Sequence, residues 1–370
     1  MNKKVIVFGT RPEFIKLLPV IIEIQQQHFD KDYFYIFTGQ HTDLISDLFE
    51  IFSFKPSYTL QLKDHSNSLC HSFSHILSGI QEVIENIKND FNISIIIGQG
   101  DTTSCVCAAL CAFFNHIPFG HVEAGLRTND LKNPFPEELF RNIISLTSTI
   151  NFVPTSKAKE NLLREGIKKK NIIVTGNTIV DAIEMLKPLV SSKISDNSIV
   201  RQFGLKNIVL ITCHRRENQD EKYLELIDSI KTLATENKSL QFIWISHVTP
   251  FVKKQLTREP FHAINNIHIL PPINVFELFF LYGKTQIIIT DSGGIQEEAP
   301  SFDIPVIVIR DYTERSESVE MGYSEIIGLN KEKIIGSFNK IINQQSIQMI
   351  NPYGNGHAAQ LIVSHLKQID

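Results

Sequence analysis

The sequence predicts an α/β protein built from two doubly wound parallel-sheet domains. Three observations carry that prediction. The chain has 370 residues, more than a single hydrophobic core usually spans. Short apolar runs rich in β-branched residues alternate with segments of helical period through most of its length. Those runs are continuously apolar rather than alternating, as expected of parallel strands covered by helices on both faces.

In the first half the strand-like runs are Lys4–Phe8, Tyr33–Thr38, Ser94–Gly98, Pro118–Val122 and Thr149–Val153. In the second half they are Ile208–Thr212, Phe242–Ser246, Ile267–Leu270, Ile287–Thr290 and Val306–Ile309. Two successive sets of such units imply two sheets, each with its own core. The boundary is expected near Val174, where a strand-like run ends in Thr175-Gly176-Asn177-Thr178. This gives an N-terminal domain of residues 1–173 and a C-terminal domain of residues 174–353. The polar stretch Ser191–Ser198 reads as a surface loop between helices. Asn351-Pro352-Tyr353-Gly354 sets off a final helix, residues 354–370, expected to return to the first domain. No repeat of solenoid length and no low-complexity tract interrupts this order.

Composition narrows the partners. A net charge of −4 and a pI near 6.4 argue against binding to a phosphate backbone, so no nucleic-acid partner is expected. A charged substrate must then be held by a local site. Five cysteines in 370 residues are too few, and of the wrong parity, for a disulfide framework, which favours a reducing compartment. The opening apolar stretch is broken by Arg11, Glu13 and Lys16, unlike a signal peptide. The longest apolar run elsewhere, Cys105–Phe114, falls short of the ~20 residues a membrane span needs. The expectation is a cytoplasmic protein with no membrane partner.

The chemistry is concentrated where strands end. The first strand runs into Gly9-Thr10-Arg11-Pro12-Glu13, with glycine for a tight turn and proline just inside a helix. Arg11 and Lys16 then lie near a helix start at a strand's carboxyl end, where anions bind in such sheets. The third strand runs into Gly98-Gln99-Gly100-Asp101, and Asp101 is placed to cap the helix that follows. The fourth runs into His121-Val122-Glu123, with Glu137, Glu138 and Arg141 soon after. The sheet should gather Asp101, Glu123 and a glutamate of the 137/138 pair. Carboxylates crowded together repel, which raises some of their pKa values and suits acid–base work.

In the second half, His214-Arg215-Arg216-Glu217-Asn218 follows the first strand; a histidine there can meet a phosphate or exchange a proton. Thr290-Asp291-Ser292-Gly293-Gly294 opens a helix carrying Glu298. Its bare backbone N–H groups suit a diphosphate, and Glu298 can accept from ribose hydroxyls. Arg315, beyond the next strand, adds a cation. Other clusters read as structure. Cys107 and Cys111 share a helix face without acidic or histidine company and read as core. His71 and His75 lack a third ligand, so no metal is expected. No Walker loop and no G-x-G-x-x-G follows the first strand, which disfavours ATP or nicotinamide chemistry.

Taken in order, GTRPE from Gly9, TGQH from Thr38, GDTTS from Gly100, HVEAGLRT from His121, PEE from Pro136, VTGNT from Val174, HRREN from His214, TDSGGIQEEAP from Thr290 and RDYTER from Arg310 cover nearly the whole chain. This series closely resembles the non-hydrolysing UDP-N-acetylglucosamine 2-epimerases. The resemblance implies two Rossmann-like domains in the GT-B arrangement, with the active site in the interdomain cleft. It implies an isomerase that turns UDP-N-acetylglucosamine into UDP-N-acetylmannosamine for cell-surface polysaccharide. The implied route is elimination of UDP to a 2-acetamidoglucal, then re-addition with C2 inverted. It further implies no cofactor, a UDP-sugar as the small-molecule partner, and a homodimer.

Carried over by position, the catalytic candidates are Asp101, Glu123 and Glu137, with His214 at the diphosphate. The UDP contacts are Arg11, Lys16, His214, Ser292, Gly293, Gly294, Glu298 and Arg315. Gln40, His41, Arg215 and His247 match positions at which family members bind a second, activating substrate molecule. The chain departs from the family pattern at Asp220, at Ser246-His247-Val248-Thr249-Pro250, at Ser316 and at Asp43, where the regulatory set has an amide. Three alternatives share parts of this pattern. An epimerase of a UDP-diacetamido-uronic acid needs a further cation for the uronate. A GT-B glycosyltransferase has no use for the carboxylate cluster. A nucleotide-sugar sensor needs no carboxylates at all.

Overall fold

The computed structural model describes residues 2–40, 45–61, 68–203, 207–215, 218, 222–246, 250–258, 261, 264–343 and 350–369. The chain divides into two compact units, one of residues 1–182 with 353–370 and one of residues 183–352. Both are α/β with wholly parallel sheets, as the sequence predicts.

The first unit holds seven strands: β1 (Asn2–Phe8), β2 (Tyr33–Phe37), β3 (Tyr58–Thr59), β4 (Asn92–Gln99), β5 (Phe119–Val122), β6 (Ile150–Val153) and β7 (Ile172–Val174). They lie in the order β3-β2-β1-β4-β5-β6-β7. The helices between them are α1 (Arg11–Gln26), α2 (Ser46–Ile51), α3 (Leu69–Asp90), α4 (Thr103–Phe114), α5 (Glu137–Thr147) and α6 (Ser156–Arg164). Helix α3 buries Ile76, Ile80, Val83, Ile84 and Ile87, the spacing of one apolar face. Helix α4 is buried along most of its length. Its Cys107 and Cys111 thiols donate to the carbonyls of Phe73 and Leu77 on α3, so this cysteine pair is core.

The boundary falls within helix α7 (Thr178–Leu186), and the four-residue α8 (Val190–Lys193) follows in the second unit. Its strands are β8 (Ile208–Thr212), β9 (Gln241–Ile245), β10 (Ile267–Leu270), β11 (Thr285–Thr290), β12 (Val306–Val308) and β13 (Ser324–Ile326). Their order is β10-β9-β8-β11-β12-β13. The helices are α9 (Lys222–Glu236), α10 (Pro250–Arg258), α11 (Val275–Tyr282), α12 (Gly293–Glu298), α13 (Ser316–Glu320) and α14 (Lys331–Ile342). Trp244, Tyr223 and Phe242 are buried in this unit's core. The stretch Ser191–Ser198 is not wholly a loop: Ser191–Lys193 are helical and Ile194 is buried, because one apolar residue suffices to anchor it.

Helix α15 (Ala358–Leu366) closes the chain and packs on α1. The Asp181 carboxylate accepts from the backbone N–H groups of Ala359 and Ala358, at 2.8 and 3.3 Å. Asn177 N–H donates to the Tyr353 carbonyl at 2.7 Å. Among the described residues no helix is long and apolar enough to cross a membrane.

Candidate active site

In the first sheet the strand order reverses between β1 and β4, the switch point beside which ligands bind in such sheets. The loops after these two strands are tied to each other. A Cβ on Gly9 would lie 2.1 Å from both Ser104 Oγ and Thr38 Oγ1, so glycine is required there. Glu13, buried at the start of α1, accepts from Gly9 N–H (3.0 Å), Thr10 N–H (2.8 Å) and Thr102 Oγ1 (2.6 Å). Burial outweighs these donors and raises its carboxyl to about 7. Arg11 stands half-buried beside this clamp.

The cap of α4 is Thr102, whose Oγ1 accepts from Cys105 N–H at 3.1 Å. The N-cap expected at Asp101 is therefore displaced by one residue. Asp101 turns instead to Arg141, whose Nε donates to Oδ2 at 2.8 Å. A second guanidinium nitrogen of Arg141 donates to Glu138 at 2.8 Å. Glu138 also accepts from the backbone N–H groups of Thr128 (3.0 Å) and Asn129 (2.9 Å). Of the glutamate pair, then, the buried Glu138 is tied into the loop before α5, while Glu137 opens the helix half-buried.

Glu123, just after β5, has φ +68°, a left-handed conformation that costs a non-glycine residue roughly 1–3 kcal/mol. Its carboxylate pairs with Lys16 Nζ, and both side chains are almost buried. Lys16, the nucleotide candidate, thus also faces a candidate carboxylate. The Cys105 thiol is pushed up by burial first, then by the negative charges of Glu13, Asp101 and Glu123. His121 is buried, with Nε2 2.8 Å from the Gly100 carbonyl, and burial lowers it to about 4. It is a neutral prop for the turn that carries Asp101. Gln40 Oε1 accepts from Ser104 Oγ at 3.0 Å. His41 and Asp43 lie outside the described residues.

In the second sheet the order reverses between β8 and β11, and again the following loops meet. Asp291, wholly buried, accepts from the backbone N–H groups of His214 and Arg215 and from Asn218 Nδ2. Its Oδ1 lies 3.2 Å from His214 Nδ1. Burial alone would raise this carboxyl, but His214 and the other donors hold it well below the usual range. Arg215 Nε donates to the Asp291 carbonyl at 3.0 Å. His247 lies outside the described residues.

Ser292 is the N-cap residue of α12, and Gly293 and Gly294 form its first turn. A Cβ on Gly293 would lie 2.6 Å from Arg315 NH1, so the arginine lies directly against that glycine. Arg315 is 6% exposed and pairs with Glu314 and with Glu297, at 2.8 Å to the latter. Glu298 Oε2 accepts from Tyr282 OH at 2.7 Å. Among the described residues no group of three or more His, Cys, Asp or Glu is placed to hold a metal.

Glu13, His121 and Asp291 were not singled out from sequence, although each lies within a motif that was read. Their signal is partnership across the sheet, which the linear order conceals.

The geometry can be set beside known proteins. A family model described as UDP-N-acetylglucosamine 2-epimerase matches residues 23–367. The UDP-N-acetylglucosamine 2-epimerase of Campylobacter jejuni is 38% identical, over 99% of this chain and 97% of the relative. A solved UDP-GlcNAc 2-epimerase from Neisseria meningitidis, bound to UDP-GlcNAc, superposes with a TM-score of 0.89 at 36% identity, covering 100% of both chains. That of Methanocaldococcus jannaschii, in complex with UDP-GlcNAc and UDP, gives 0.86 at 34% identity, again over 100% of both. Two parallel-sheet units with these neighbours make the fold one of the GT-B class. The chain belongs to the UDP-N-acetylglucosamine 2-epimerase family of isomerases.

Proposed function

We propose that this protein inverts C2 of UDP-N-acetylglucosamine, giving UDP-N-acetylmannosamine without a redox cofactor. The observation that carries the reading is the pairing of Asp101 with Arg141 and of Glu123 with Lys16 after neighbouring strands β4 and β5. Carboxylates fixed in this way suit removal of a weakly acidic C2 proton. As that proton leaves, the C1–O bond to UDP breaks, giving 2-acetamidoglucal and UDP. A diphosphate oxygen then re-adds to C1, and a proton is delivered to the opposite face of C2. Asp101, Glu123 and Glu137 are the proposed acid–base groups. Arg11, Lys16, His214, Ser292, Gly293, Gly294 and Arg315 are assigned to the departing UDP, with Glu298 on the ribose. N–H donors and cations stabilise the charge that develops on the leaving phosphate.

The same proposal carries a homodimer working in the cytoplasm and supplying N-acetylmannosamine units for surface polysaccharide. Incubation with UDP-N-acetylglucosamine, followed by proton NMR, tests the reaction. An equilibrium mixture of the two UDP-sugars is expected. Release of free N-acetylmannosamine, or turnover of a UDP-uronic acid alone, would overturn it.

A further inference from the structure

We infer that Asp291 is a positioning residue, which holds His214 as its Nδ1–H tautomer and so presents Nε2 to a diphosphate. The inference deepens the nucleotide site proposed above and rests on that reading for the identity of the ligand. Its geometry stands on the second unit alone.

A carboxylate only accepts hydrogen bonds, so the ring nitrogen facing it must carry a proton. Asp291 Oδ1 lies 3.2 Å from His214 Nδ1. Its other oxygen, Oδ2, accepts from His214 N–H (3.0 Å), Arg215 N–H (2.9 Å) and Asn218 Nδ2 (2.9 Å). The carboxylate is thus locked at Oδ2 by three donors that do not titrate near neutral pH, while Oδ1, 3.2 Å from the same His214 N–H, faces the imidazole. The His214 side chain is 39% exposed while that of Asp291 is 0% exposed. The buried partner therefore sits behind the ring, and the ligand side is the solvent side. With Nδ1 engaged, Nε2 can give an N–H to a phosphate oxygen only as part of the imidazolium. The buried carboxylate balances that charge, and charge-assisted bonds are the stronger kind.

Asp291→Asn is informative because its outcome is dictated by those three donors. The amide NH2 cannot face them, so the amide oxygen takes the place of Oδ2. The NH2 then points at His214 Nδ1, which must become an acceptor. The shape of the site is kept and the tautomer is reversed.

The test is a long-range 15N–1H NMR spectrum of histidine-labelled full-length protein without ligand, with His214 assigned from the His214→Gln variant. Wild type should show a protonated Nδ1 on His214, and Asp291→Asn the Nε2–H tautomer. UDP titration should show a loss on the order of tenfold for Asp291→Asn, and a much smaller loss from the same change in a His214→Gln background. A neutral Nε2–H tautomer in the wild type overturns the inference even if Asp291→Asn does not fold. Equal losses of UDP affinity in both backgrounds also overturn it, since Asp291 would then only shape the loop. Failure of the proposed reaction would instead appear as absent turnover with the wild-type tautomer intact.

Discussion

Arg141 reaches back 40 residues to Asp101, with Nε 2.8 Å and NH2 2.6 Å from the same carboxylate oxygen. Its remaining nitrogen holds Glu138. One guanidinium from α5 therefore fixes both a candidate acid–base group and the loop beneath it. Arginine suits this place because its planar fork meets two acceptors at once, which an ammonium does less well.

Asp101→Asn should lower kcat by ~10²–10⁴ while UDP still binds. Arg141→Lys keeps the charge, loses the fork and should also reduce kcat. Arg141→Ala leaves the buried Glu138 without this counter-charge, and should destabilise the protein by up to about 3–5 kcal/mol. Steady-state kinetics, UDP calorimetry and urea melts check these three. Normal turnover in Asp101→Asn would remove it from the chemistry.

Glu13 and His121 should pull stability in opposite directions with pH. Burial raises the Glu13 carboxyl from 4.5 to about 7, so its contribution is full below about 4.5 and is lost as pH rises through 7. Burial lowers His121 from 6.5 to about 4, so its contribution is full above 6.5 and is lost as pH falls through 4. Each effect is on the order of 3 kcal/mol, and they largely cancel in the wild type. Glu13→Gln should therefore gain stability, relative to wild type, as pH rises from 4.5 to 7. His121→Asn should gain, relative to wild type, as pH falls from 6.5 to 4. Denaturation midpoints measured across pH decide; curves parallel to wild type would contradict both assignments.

Two adjacent glycines should behave differently. A methyl at Gly293 meets the buried Arg315 guanidinium at 2.6 Å, whereas at Gly294 the nearest atom is Ser292 Oγ at 3.9 Å. Gly293→Ala should destabilise by about 1–3 kcal/mol, as overpacking does. Gly294→Ala should melt no lower than wild type, so any loss of UDP affinity there reports close approach of the ligand. Equal melting temperatures would contradict the placement of Arg315.

We expect the second-site regulation proposed for Gln40, His41, Arg215 and His247 to appear in the reverse reaction. Pure UDP-N-acetylmannosamine should show a lag that a trace of UDP-N-acetylglucosamine removes, because an activator must favour one state over another to act. Progress curves linear from the first seconds would end that proposal.

The parallel strands were legible because burial on both faces writes itself as unbroken apolar runs, and the site loops because glycine and charge collect where those runs end. The two-residue β3 and the polar β13 were not, since edge strands of that length leave no periodic trace. Pairings were equally hidden. Nothing in the order of residues says that Lys16 meets Glu123 across 107 positions, or that Arg315 is enclosed by Glu297 and Glu314. Asp101 and Thr102 are both good N-caps, so a one-residue displacement could not be read. That Arg141 pairs with Glu138 as well as Asp101 is equally hidden, since residues three and four apart share a helix face.

The measurement that tests the central claim most directly is the reaction run in D2O with UDP-N-acetylglucosamine and no added cofactor. Proton loss and return at C2 should place deuterium at that carbon in both product and recovered substrate. Product that keeps its original C2 hydrogen, or an absolute need for NAD, would contradict the account.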